Sequence, residues 1–215
     1  MSALAFPLTL AQGFDVLCPA TGEIELVEPV EESRTAGGAI LRSSLGEPLW
    51  RGRLTMTLRG HRQAMAAEAV AALLRRPGAT FLATDPRYRG PRLDPGGGAL
   101  GAATPSLHTL DADNRRIRVQ GLPAGYVLSP GDLIGWTYGS PARAALHRLV
   151  TGATADGSGI TPLFEVAPRI RGGAASASVE LVRPVCRAVL DEWVPGIGGP
   201  RQTSGGELRW VERIK

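Results

Sequence analysis

The chain has 215 residues, 43% of them hydrophobic and 20% charged, with Gly 28, Pro 17 and a formal net charge of +4. That is long enough to bury a core in one or two domains, and the fractions are those of an ordinary soluble protein rich in turns. No run approaches the roughly 18 apolar residues of a membrane span, and MSALAFPLTLAQGF lacks the parts of a secretory leader, so a cytoplasmic origin is expected.

After an irregular start, GEIELVE (22–28) alternates and reads as a strand, broken by a Gly/Ser/Thr stretch at 33–38. LWRGRLTMTLR (49–59) has the clearest pattern: Trp50, Leu54, Met56 and Leu58 share one parity, with Arg51, Arg53, Thr55, Thr57 and Arg59 on the other. Successive strand side chains point to opposite faces, so this predicts one buried and one wet face. HRQAMAAEAVAALLRR then switches to helical period, predicting a helix over 60–76 with Met65, Ala66, Ala69, Val70, Leu73 and Leu74 on its apolar stripe. Arg75 and Arg76 suit the negative end of the helix dipole, Pro77-Gly78 stops the helix, and TFLAT (80–84) follows as a short strand.

PRYRGPRLDPGGG (86–98) marks a linker or domain boundary. Beyond it come short strands separated by turns, among them RIRVQ (116–120), DLIGWTYG (132–139), ALHRLVTGA (145–153) and ITPLFEVAP (160–168). This texture suggests a small β-barrel or sandwich. A last strand, GELRWVERI (206–214), alternates Leu208 and Trp210 with Glu207, Arg209 and Val211.

Candidate chemistry is sparse. Asp156, Gly157, Ser158 and Gly159 sit between apolar runs, yet the spacing fits neither a calcium loop nor a nucleophile elbow; Asp-Gly reads as a hairpin turn with both residues at positive φ. His61, His108 and His147 have no metal-ligand spacing, and a hydrolase would need His147 and Asp156 to meet a nucleophile. Asp111 and Asp113 read as turn chemistry, and the adjacent pair Asp191-Glu192 is expected on opposite strand faces. Gly96-Gly97-Gly98 lacks the continuation of a phosphate loop. The arginines are scattered, so the basic balance speaks for solubility and weak association rather than nucleic-acid binding. Cys18 and Cys186 lie far apart and are expected as free thiols. No catalytic, metal or cofactor site is expected. Trp136 and Tyr138 are the aromatic residues that would line a glycan-binding face, the alternative reading being a host-surface glycan-binding module.

The order LWRGRLTMTL, LLRRPGATFLATDP, LSPGDLIGW, HRLVTGATADGSGITPLFEVAPRIR and VELVRP resembles tail-tip proteins of siphovirus-type bacteriophages, of the distal tail protein class, over residues 45 to 185. The resemblance implies a mainly β fold with one amphipathic helix: a β-sandwich belt domain (1–95 with 183–215) and an inserted small OB-like β-barrel (96–182). It further implies a homohexameric ring in the virion tail tip, made in the host cytoplasm, joining the tail tube protein to hub and fibre proteins. DNA would pass through its channel without specific binding, and no membrane is involved. Ring closure needs complementary surfaces on neighbouring copies. Arg51, Arg53 and Arg59 are candidates to meet Glu23, Glu25, Glu28, Glu31 or Glu32 of a neighbour; the other reading is that these charges solvate a sheet.

Overall fold

The computed structural model describes residues 4–17, 19–57 and 59–214. The first third contains α1 (Phe14–Leu17), β1 (Pro19–Val27), β2 (Val30–Arg34), β3 (Ile40–Ser44), β4 (Leu49–Met56), β5 (Arg59–Gly60), α2 (His61–Leu74) and β6 (Phe81–Ala83). The middle is all strand: β7 (Ser106–Leu110), β8 (Arg116–Gln120), β9 (Val127–Leu128), β10 (Leu133–Tyr138), β11 (Arg143–Leu149), β12 (Ala153–Thr154), β13 (Phe164–Ala167) and β14 (Val179–Glu180). β15 (Cys186–Val194), β16 (Ile197–Gly198), β17 (Gln202–Ser204) and β18 (Glu207–Glu212) complete the chain. The fold is mainly β, as expected, but among the described residues carries two helices rather than one, α1 being a single turn.

Both ends of the chain build one antiparallel sheet, in the order β1-β4-β18-β15-β6. Alternation dictates its faces: Trp50, Leu54, Met56, Leu208 and Trp210 are buried, while Arg51, Arg53 and Thr55 are exposed. The buried face packs with α1, α2 and the barrel residues Leu133 and Leu146 in one apolar cluster. The helix turns inward a stripe that overlaps the suggested one in part: Leu74 is buried, and Val70 and Leu73 pack half-buried against the core. Ala64, Ala67, Ala71 and Leu74 are buried, whereas Met65, Ala66 and Ala69 are exposed. Alanine occurs all round this helix, so the pattern of apolar residues does not single out one face; the small stripe is the one that lets the helix lie close to its neighbours.

The residues between β6 and β15 form a six-stranded sheet in the order β14-β10-β11-β13-β8-β7. It curls until its edge strands nearly meet, through the Ser106–Ser178 bridge and the Leu107 N–H bond to the Ala177 carbonyl. Inside lie Leu107, Ile117, Val119, Ile134, Phe164 and Val166, a second apolar cluster.

Two interactions fasten the barrel to the first sheet. The Trp50 indole N–H donates to the Leu146 carbonyl at 2.7 Å, with the Arg148 guanidinium 5.1 Å above its ring. Arg171 pairs with the buried Glu212 carboxylate at 2.8 Å and also donates to the Pro48 carbonyl; Glu212 in turn accepts the Trp50 backbone N–H. Burial pushes the Glu212 carboxyl up, against the opposing pull of Arg171 and that N–H.

Candidate functional site

The outer face of the first sheet is a ladder of charge. Register places Glu23 opposite Arg53 and Glu25 opposite Arg51 across β1 and β4, with Arg209 on the other side of Arg53. Arg53 donates to Glu207 at 2.8 Å, and Arg209 binds Glu207 at 2.6 Å and Glu192 at 2.9 Å. Hydrogen bonds from Arg209 and then Arg53 hold the Glu207 carboxyl below its ordinary range. Arg53, expected to seek a neighbour, therefore has a carboxylate partner in its own chain. Glu23, Glu25 and Glu28 are exposed, and no ion pair engages them among the described residues.

Arg59 does not belong to this face. It is 6% exposed, donates to the Leu17 carbonyl at 3.4 Å and lies 5.8 Å from the Trp193 ring centre. The alternation that predicts it wet belongs to β4, which ends at Met56, whereas Arg59 sits in β5, paired with β17. Leu58, placed by the same alternation on the buried parity, lies outside the described residues, as does Cys18; Cys186 is buried and free.

The stretch read from sequence only as a break at 33–38 is the tip of an arm. β1 leads into β2 and β3 into β4, so Pro19–Met56 is one long hairpin, interrupted near Pro29 and Pro48. Its inner half lies in the sheet. Its outer half stands free: every residue from 28 to 47 is exposed. Thr35 closes the tip, accepting the Gly38 N–H on its carbonyl and the Ala39 N–H on its hydroxyl, and Gly38 supplies the left-handed φ of 82°. Along the ribbon, Glu32 pairs with Arg42 at 3.0 Å and Arg34 at 3.5 Å.

The remaining candidates resolve into structural roles. The loop at 156–160 is a turn, but not a β-hairpin with its flanks. Residues before it pair with β9 (Ala155 N–H to the Tyr126 carbonyl), and residues after it pair beside β8 (Thr161 N–H to the Val119 carbonyl). Its left-handed residue is Gly159, at φ 76°, rather than Asp156 or Gly157. Asp156 accepts the Ser158 hydroxyl and the Ser158 and Ile160 N–H groups, which lower its pKa. His147 is buried, stacked on Trp136 with ring centres 4.4 Å apart and hydrogen-bonded to the Pro168 carbonyl, so it is not available to Asp156.

Trp136 is 4% exposed and donates its indole N–H to the Gly172 carbonyl at 2.8 Å; it cannot offer a face to a sugar. Tyr138 is half-buried against Gly172. Asp111 accepts the Ala112 N–H and Asp113 the Arg115 N–H, the bonds expected of turn chemistry, and both also pair with Arg116. Asp191 and Glu192 are both exposed, not on opposite faces, because the register shifts between Leu190 and Glu192. Among the described residues, no group of three or more His, Cys, Asp or Glu is arranged to hold a metal, and no helix is long and apolar enough to cross a membrane.

The Arg171–Glu212 pair and the β2–β3 arm are the features that sequence reasoning missed. The first joins residues 41 positions apart with no local pattern. The second had a signal, the Thr-Ala-Gly-Gly turn between two runs of strand length. No protein-family model matches this chain, and no curated protein matches it either.

Proposed function

We propose that this chain is a structural component of a phage tail tip, a ring-forming subunit of the distal tail protein kind. In this reading the first sheet with α2 is the belt, a β-sandwich layer of a hexamer, and the residues between β6 and β15 are the inserted, OB-like barrel. The ring connects the tail tube to the hub and fibres, its channel passes DNA without reading it, and the chain carries out no reaction. One observation carries the reading: a hairpin whose inner half builds the sheet and whose outer half, exposed throughout residues 28–47, projects from the body. A free arm is a device for joining copies. The insertion of a barrel between strands of a single sheet, matching the order of motifs in the sequence, supports it.

Electron microscopy of particles bearing a tag on this chain tests the proposal. The expected image is a sixfold ring between tube and tip. A single copy per particle, or a location on the capsid, defeats it.

A further inference from the structure

We propose that strand β3 of one copy adds edge-on to strand β1 of the next, so that arm-to-edge pairing joins neighbours. The inference rests on the ring reading above and names its contact. Three observations lead to it.

The first is the arm. A two-stranded ribbon is at best marginally stable alone in water, yet this one leaves Val30, Ile40, Leu41 and Leu45 between 46% and 66% exposed.

The second is the edges. The barrel nearly closes on itself, and the β6 edge of the first sheet is covered by Leu8, which donates to the Thr80 carbonyl and accepts the Leu82 N–H. β1 pairs with β4 alone among the described strands, leaving its other side without a strand partner. An open edge is a template for another strand. A chain's own β3 cannot occupy it, because β3 continues β4, on the opposite side of the hairpin.

The third is parity and charge. On β1 the wet face carries Glu23 and Glu25, which stand opposite Arg53 and Arg51 and, for Glu23, feel the charge of Arg87, but make no ion pair among the described residues. The other face carries Ile24 and Leu26. On β3, Arg42 points to one face and Leu41 to the other. Setting Arg42 beside Glu23 and Glu25 brings Leu41 to the side of Ile24 and Leu26, while Ile40, of the same parity as Arg42, comes to the outer face with it. β2 fails the same test. With Glu32 and Arg34 on the wet side it turns Glu31 to the dry side; in the other parity Glu32 and Arg34 themselves are on the dry side. Each copy then gives one arm and receives one, a head-to-tail contact that closes by rotation.

Cross-linking tests this. In a Cys18→Ser background, a chain with Arg42→Cys is mixed with one carrying Glu23→Cys or Glu25→Cys and oxidised. The expected product is a mixed disulfide dimer, since a bridge requires Cβ atoms about 4 Å apart; Ser204→Cys in place of the β1 cysteine gives none. Replacing residues 30–44 by a short glycine turn weakens self-association at least tenfold in sedimentation velocity, with the near-UV circular dichroism of the monomer retained. If the intact chain assembles but the armless chain assembles equally, or the mixed disulfide is absent, the arm-to-edge contact is wrong and the ring reading survives. An intact chain that stays monomeric up to its solubility limit and forms no ring in particles removes both.

Discussion

A Cβ built at Gly52 would fall inside the indole of Trp210, so the middle of β4 must carry no side chain. Gly52 stands between Arg51 and Arg53, and its packing against Trp210 gives it a reason. His147 makes a comparable case. Burial lowers its pKa to about 4, although its bond to the Pro168 carbonyl pulls the other way. A neutral imidazole is thus required inside the barrel. The folded pKa lies below the unfolded one, so this stability is fully present above pH 6.5, the ordinary value, and is lost as pH falls through about 4. The loss is on the order of 3 kcal/mol. Urea unfolding at a series of pH values should show that decline, and His147→Gln should flatten it. An unchanged slope in that variant places the titration elsewhere.

At the scale of elements, periodicity located most strands but not every face. β4 and β18 follow strict alternation because one side is buried and the other wet, and they were read from sequence with the correct faces through Met56 and Trp210. The expected bounds of α2 lie within two residues of each end, and its expected stripe faces the core at Val70, Leu73 and Leu74 but not at Met65, Ala66 and Ala69. Two variants separate the stripes. Ala67→Leu forces extra methylenes against the sheet and should cost about 1–3 kcal/mol. Met65→Lys, on the exposed stripe, should stay within about 0.5 kcal/mol. Equal effects in a denaturant titration would mean the helix is rotated from the orientation described. The arm escaped notice because neither β2 nor β3 has an apolar side facing the body, and alternation is visible only where one face is dry.

For the whole molecule, the joint between sheet and barrel is the vulnerable part. Arg171 and Glu212 have side chains 15% and 3% exposed, so removing one partner leaves a charge without compensation in a place poor in water. Arg171→Met should therefore destabilise by about 3–5 kcal/mol, whereas the double variant Arg171→Met with Glu212→Leu should recover most of that loss. Thermal melts of the three proteins decide it; a single variant as stable as the parent would mean that the pair is not what holds the halves together. The joint also touches the base of the arm, through Pro48 and Glu47, so loosening it should alter the arm's direction as well.

Local patterns determined the mainly β character, the wet and dry sides of the long strands, the helix with its stop at Pro77-Gly78, and the break near residues 86–98. These follow from side-chain direction and backbone preference, which a short window of residues already contains. What tertiary structure alone decided was partnership: which carboxylate Arg53 meets, that Arg59 is buried under Trp193, that Trp136 stacks on His147, and that residues 28–47 leave the body. Each depends on segments tens of residues apart coming together. Sequence periodicity carries the direction in which a side chain points, but not the identity of the group it finds there.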